Sequence, residues 1–148
     1  MTPNMQTKTH EYLHENDLPE LAREYAGLWL KPGTVVALHG DLGTGKTALV
    51  RAFIRMILDA PDMAVPSPTF TLLQQYDLPD LVIYHYDLYR MTNADELIEL
   101  NWAQAIAEGL VFVEWPERAG KLLPPHFAVH ISDANAVDFR NITVAFQC

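Results

Sequence analysis

The chain has 148 residues, 49% of them hydrophobic, which suits one domain built round one core. Ten Lys and Arg against nineteen Asp and Glu leave a net charge of −9. A surface that acidic repels phosphate backbones, which argues against unaided binding to RNA or DNA and routes any nucleic-acid role through a partner.

The elements follow in chain order. Met1 to Lys8 has no apolar stretch for a signal peptide. Thr9 to His14 reads as a short edge strand, Asp17 as a helix cap, and Leu18, Leu21, Ala22, Tyr25 and Trp29 as the apolar face of a helix that Lys31-Pro32-Gly33 ends. Thr34 to His39 is a β-branched apolar run of the kind that parallel sheets bury on both faces. It leads into Gly40-Asp41-Leu42-Gly43-Thr44-Gly45-Lys46-Thr47, which fits G-x-x-x-x-G-K-[ST]. Ala48 to Leu58 follows as a helix with Leu49, Ala52, Phe53, Met56 and Ile57 on one face.

Strand, glycine loop and helix come in the order that a phosphate-binding loop needs. Glycines let backbone N–H groups close round the phosphates of a nucleotide, and the positive end of the new helix faces the same anion. Lys46 would reach the β- and γ-phosphates, and the Thr47 hydroxyl would bind Mg²⁺.

Asp59-Ala60-Pro61-Asp62 is a break, and the prolines hold Val65-Pro66-Ser67-Pro68-Thr69 extended. Phe70 to Tyr76 and Leu81 to Tyr86 read as strands around the turn Asp77-Leu78-Pro79-Asp80. Asn93 caps a helix through Leu97 and Leu100, a second helical stretch runs from Trp102 to Glu108, and Gly109 stops it. Leu110 to Val113 is a second fully apolar strand, and Phe127 to Ser132 with Phe139 to Phe146 form an antiparallel hairpin. The alternation predicts an α/β protein: a three-layer P-loop NTPase-like fold in a single domain, residues 1–148, its sheet parallel at the centre with antiparallel additions. Cys148 is the one cysteine and can form no intrachain disulfide, and no apolar run approaches transmembrane length, so the expectation is a soluble cytoplasmic protein.

Ligands collect at the carboxyl ends of strands in such sheets, so two acids that end apolar runs are candidates for holding Mg²⁺ and orienting water. Glu114 is the stronger, since a fully apolar strand is the usual setting of the second motif. Asp87 ends an alternating strand that could lie at an edge, where a solvated acid is equally natural. Thr69 is either a switch hydroxyl or, as spacing alone favours, an ordinary strand-entry residue. Trp115 is either a packing aromatic or a wall of the nucleotide site. The six histidines lack metal-ligand spacing, and no nucleophile accompanies His85 and Asp87. A G-protein's base-reading Asn-Lys-x-Asp and a cassette ATPase's Ser-Gly-Gly are both missing. A small-molecule kinase stays open, although its arginines would be scattered from Arg23 to Arg140 with only Arg51 and Arg55 sharing a helix face.

Taken together, the loop Gly40 to Thr47, Ser67-Pro68-Thr69-Phe70-Thr71-Leu72, Tyr84-His85-Tyr86-Asp87-Leu88-Tyr89-Arg90 and Val113-Glu114-Trp115-Pro116-Glu117 resemble the TsaE (YjeE) family in order and spacing, over nearly the whole chain. The resemblance implies a bacterial ATPase needed to make threonylcarbamoyladenosine in tRNAs that read codons starting with A. It implies TsaB and TsaD as partners, with tRNA met only through them. It assigns Asp41, Leu42, Gly43, Thr44, Gly45, Lys46, Thr47, Ala48 and Trp115 to ATP. Thr47 and Glu114 go to Mg²⁺, Thr69 becomes the switch threonine and Asp87 a metal-site acid, so that Lys46, Thr69, Asp87 and Glu114 carry the chemistry. Thr44 stands where many members have Ala, and the tail beyond Pro116 matches loosely, leaving adenine contacts near Glu15, Asn16 or Arg140 open.

Overall fold

The computed structural model describes residues 7–147, so the segment through Gln6 and Cys148 lie outside the described residues. Its strands are β1 (Lys8–Leu13), β2 (Thr34–His39), β3 (Leu73–Asp77), β4 (Val82–Asp87), β5 (Leu110–Glu114), β6 (His126–Asp133) and β7 (Arg140–Gln147), with helices α1 (Leu18–Trp29), α2 (Lys46–Ile57) and α3 (Trp102–Glu108). They form one seven-stranded sheet ordered β1-β7-β6-β2-β5-β4-β3. β2 pairs parallel with β5 and β6, β4 pairs parallel with β5, and β1, β3 and β7 add antiparallel margins.

Alternation along the central strands sets the layers. Val36, Leu38, Ile83, Leu110 and Phe112 face one side, where α1 and α2 cover them with Leu21, Trp29, Phe53 and Ile54. Val35, Ala37, Tyr84, Tyr86, Val111 and Val113 face the other, against Leu97, Trp102 and Ala105. Successive side chains on a strand point to opposite faces, so a strand dry on both faces must be apolar throughout. Trp29 sits at the centre of the first layer, 4.8 Å from Tyr25, 5.8 Å from Phe53 and 6.0 Å from Phe112 between ring centroids.

Several local expectations change. β4 is no edge strand, since β3 and β5 flank it. The fully buried stripe of α2 is Leu49, Val50, Phe53 and Ile54, while Ala52, Met56 and Ile57 sit at its margin, because both the sheet and α1 press on this helix. The Asp17 carboxylate accepts from the His14 N–H at 2.8 Å and closes a 3-10 turn, leaving α1 without a side-chain cap. Leu72, at φ 67°, breaks the strand expected from Phe70, which begins at Leu73 instead. The stretch after Asn93 is a 3-10 helix, Ala94–Leu100, although its cap is as expected: the Asp95 N–H donates to the Asn93 side chain at 2.9 Å and the Asn93 N–H to Glu96 at 3.0 Å.

Two glycines test this packing in opposite directions. A Cβ at Gly109 would lie 2.6 Å from the Tyr84 ring and 2.9 Å from the Val82 carbonyl, so Gly109→Ala is expected to destabilise the domain. Overpacking of this kind costs about 1–3 kcal/mol. Gly27, within α1, has open space around it, so Gly27→Ala is expected to stabilise by about 0.5–1 kcal/mol. Urea unfolding of both variants checks the pair, and equal midpoints would contradict it.

Candidate nucleotide and metal site

The site begins with register. Parallel pairing sets Leu38 beside Glu114 and Glu114 beside Asp87, so β2, β5 and β4 end at one level. Ile83, His85 and Asp87 share one face of β4, and Leu110, Phe112 and Glu114 the matching face of β5. Ile83, Leu110 and Phe112 pack in the layer that contains α2, so both carboxylates lie on the side of the sheet from which α2 starts. The glycine loop leaves β2 there and turns directly into α2.

Within the loop, Gly43 and Gly45 have φ of 80° and 103°, a left-handed region that glycine enters without steric cost. A Cβ at Gly40 would lie 2.5 Å from the Thr44 hydroxyl and 2.7 Å from the Ile131 carbonyl of β6. The Thr44 hydroxyl donates to the Asp41 carbonyl at 2.8 Å. Arg140, at the start of β7, donates through Nε to the Thr44 carbonyl at 3.1 Å and pairs with Asp133 at 3.1 Å, bracing the loop from outside.

Lys46 is buried, not the exposed cation that a loop position suggests. Its Nζ donates to the Gly40 carbonyl and lies 3.9 Å from the Trp115 ring centroid, so Trp115 is a wall of the site. Burial pulls the Lys46 amine below its ordinary value, opposed by the nearby carboxylates of Glu114 and Asp87. The Thr47 hydroxyl donates to Glu114 at 2.9 Å, and His85 Nε2 lies 2.6 Å from the same carboxylate. Thr69 donates to Asp87 Oδ2 at 3.0 Å and lies 2.7 Å from the Ser67 hydroxyl, while Asp87 Oδ1 accepts from the Tyr89 N–H at 3.0 Å. The structure therefore joins Thr69 to Asp87, which spacing alone did not.

The Thr69 segment is tied down at both ends. Arg51 and Arg55 of α2 donate to the Val65 carbonyl at 3.1 Å and the Met63 carbonyl at 2.8 Å, and the Asp87 N–H donates to the Leu72 carbonyl at 3.0 Å.

Among the described residues, the buried polar or charged ones are Thr44, Lys46, His85, Asp87 and Glu114; four of them line the clefts at the loop, and His85 stands behind Glu114. A cleft of about 280 Å³ is lined by Lys46, Thr47, Thr69, Asp87, Glu114 and Trp115. Gly45 also lines a neighbouring cleft of about 400 Å³, whose walls include Leu13, Glu15, Ala48 and Arg140; Asn16 lies outside both. Among the described residues no three His, Cys, Asp or Glu gather as a metal cluster. Mg²⁺ does not need one: it takes one or two protein oxygens and completes its octahedron with phosphate and water. The Thr47 hydroxyl and the Glu114 carboxylate, in contact beside the loop, fit that demand.

The family described as "Threonylcarbamoyl adenosine biosynthesis protein TsaE" matches residues 13–142. The chain belongs to the TsaE family. Its relatives include a Rickettsia conorii protein named tRNA threonylcarbamoyladenosine biosynthesis protein TsaE, 40% identical over 116 residues that cover 78% of this chain and 65% of that one. A protein of the same name from Aquifex aeolicus is 40% identical over 104 residues, 70% of this chain and 73% of that one. The crystal structure of Bacillus subtilis YdiB superposes with a TM-score of 0.72 at 26% identity, covering 99% of this chain and 90% of that one. The chain thus spans roughly two thirds of the R. conorii TsaE protein, 65% by the matched region. Within this TsaE-family site, sequence reasoning passed over His85, set aside for want of a nucleophile, and the bracing role of Arg140. Only the pairing of β4 with β5 brings His85 to Glu114.

Gly40→Ala tests the loop. The added carbon has no room between Thr44 and β6, so the loop must move, and nucleotide affinity is expected to fall about tenfold or more. Titration with a fluorescent nucleotide measures this, with circular dichroism confirming the fold; wild-type affinity would show that the loop gives way freely.

Proposed function

We propose that this chain is the ATP-binding and ATP-hydrolysing subunit of threonylcarbamoyladenosine synthesis on tRNAs that read codons starting with A, acting with TsaB and TsaD in the cytoplasm. The observation that carries the reading is that, among the described residues, four of the five buried polar or charged side chains line the two clefts at the glycine loop, and the fifth, His85, contacts one of those four. Burying such groups is costly unless they are partnered, so a core that concentrates them in one place is built for a polar ligand.

In this reading Asp41 to Ala48 wrap the phosphates, and the nucleoside lies in the cleft bounded by Leu13, Glu15, Ala48 and Arg140. Thr47 and Glu114 hold Mg²⁺, which when bound neutralises charge on the β- and γ-phosphate oxygens. Lys46 adds a fixed positive charge whose strength is raised by burial, and Trp115 limits where its amine can go. Asp87, held by Thr69 and the Tyr89 N–H, is placed to orient water at the open end of the cleft. Arg51 and Arg55 each give Nε to a backbone carbonyl and line a separate cleft with Arg23, so neither lines the cleft where an acceptor of the γ-phosphate would sit.

Lys46→Ala and Glu114→Gln separate the two halves of the site. Lys46→Ala is expected to abolish turnover and weaken ATP binding while the domain still folds. Glu114→Gln should keep ATP binding but lose several kcal/mol of transition-state stabilisation, roughly a hundredfold or more in turnover. Phosphate release across a Mg²⁺ series measures both, and wild-type Mg²⁺ dependence in Glu114→Gln would reduce Glu114 to a strand terminus.

Among the described residues no arginine lines the phosphate cleft. Cations supplied in trans accelerate hydrolysis at such loops by about 10³–10⁵-fold. The isolated chain is therefore expected to bind ATP and turn it over slowly, with the TsaB–TsaD pair stimulating it more at low salt than at high salt. Equal phosphate release with and without the pair would overturn the subunit reading.

A further inference from the structure

His85 is fully buried at the middle of β4, beside Phe112 of β5. An imidazole there is an expensive occupant, because the position would accept an apolar side chain on the same face as Ile83. Its one polar contact is to Glu114: Nε2 lies 2.6 Å from Oε2, while Nδ1 is buried with no hydrogen-bond partner. A proton on Nδ1 would have nowhere to go, so the ring hydrogen belongs on Nε2, which donates to the carboxylate.

The consequence falls on which oxygen of Glu114 is committed. Oε2 receives the His85 N–H and the nearer approach of the Thr47 hydroxyl at 2.9 Å, whereas Oε1 is 3.2 Å from that hydroxyl and accepts from no other side chain among the described residues. A carboxylate on a strand end has two side-chain torsions free before the terminal one. A bond from the neighbouring strand removes that freedom and leaves Oε1 the less committed oxygen of a side chain that lines the cleft.

We propose that His85 is a positioning residue, holding the Glu114 carboxylate in the orientation that presents Oε1, with the Thr47 oxygen, to the cation. The proposal rests on the reading of Thr47 and Glu114 as the Mg²⁺ ligands. His85 lines neither cleft and acts only through Glu114. Partners of this kind commonly account for about 10–100-fold in metal affinity.

The experiment is a Mg²⁺ titration of thermal stability in the presence of a non-hydrolysable ATP analogue, on the full chain and its variants. His85→Leu keeps bulk and removes the donor. His85→Gln restores a donor near the position of Nε2, and His85→Asn is too short to reach it. The expected result is a Mg²⁺ midpoint raised about 10–100-fold in His85→Leu and His85→Asn and restored to near wild type in His85→Gln. Affinity for the same analogue in EDTA should stay within about twofold of wild type in all three, which a general packing defect would not allow. If His85→Leu does not fold, the contrast between the Gln and Asn variants decides the matter. Equal midpoints in those two, or a wild-type midpoint in His85→Leu, overturn the proposal. Glu114→Gln run alongside separates the two levels: if it too responds to Mg²⁺ like wild type, the metal reading beneath the proposal falls.

Discussion

The parallel ladder that joins β4, β5 and β2 is the constraint on which the site depends. Backbone hydrogen bonding levels the ends of three strands and so brings Asp87, Glu114 and the start of the glycine loop to one end of the sheet. The same ladder decides facing. A slip of one residue in β4 would turn His85 and Asp87 toward the layer of Trp102 and Ala105 and put Tyr84 and Tyr86 against α2. Aromatic burial on one face and polar burial on the other therefore enforce a single register.

That arrangement places ionisable groups where water is largely excluded, and their mutual satisfaction is what makes the placement tolerable. Thr47 and His85 serve Glu114, Thr69 and the Tyr89 N–H serve Asp87, and the loop carbonyls serve Lys46. Leaving one buried group without its partner costs about 1–3 kcal/mol, so each contact supports the fold as well as the site. The low dielectric that makes an orphan costly also strengthens the field a bound phosphate would feel.

Rigidity is unevenly distributed around the cleft. The loop is braced by Arg140, and the chain entering the Thr69 segment is pinned to α2 by two arginine Nε bonds. Beyond Thr69 the turn carries Phe70, 81% exposed with Arg90 over its ring at 4.7 Å. Leu42 and Tyr89, also exposed, line the cleft itself, on a chain of net charge −9.

Periodicity and motif spacing determined much of this molecule without the fold. The five apolar positions of α1, the limits of β2, the hairpin of β6 and β7, the phosphate loop and the Glu114 strand end were all legible, because each is a local pattern whose spacing matches one backbone geometry. Resemblance across four motifs placed Thr69, Asp87 and Trp115 near the nucleotide, but local pattern alone left each with a bland alternative. Tertiary structure decided the rest: that β4 is internal, that Thr69 bonds Asp87, that Lys46 is buried against Trp115, and that His85 reaches Glu114. Those facts depend on which strands lie side by side, and strand order is set by packing energy summed over the whole sheet. No window of sequence contains it, which is why residues 29, 67 and 96 positions apart became partners only in three dimensions.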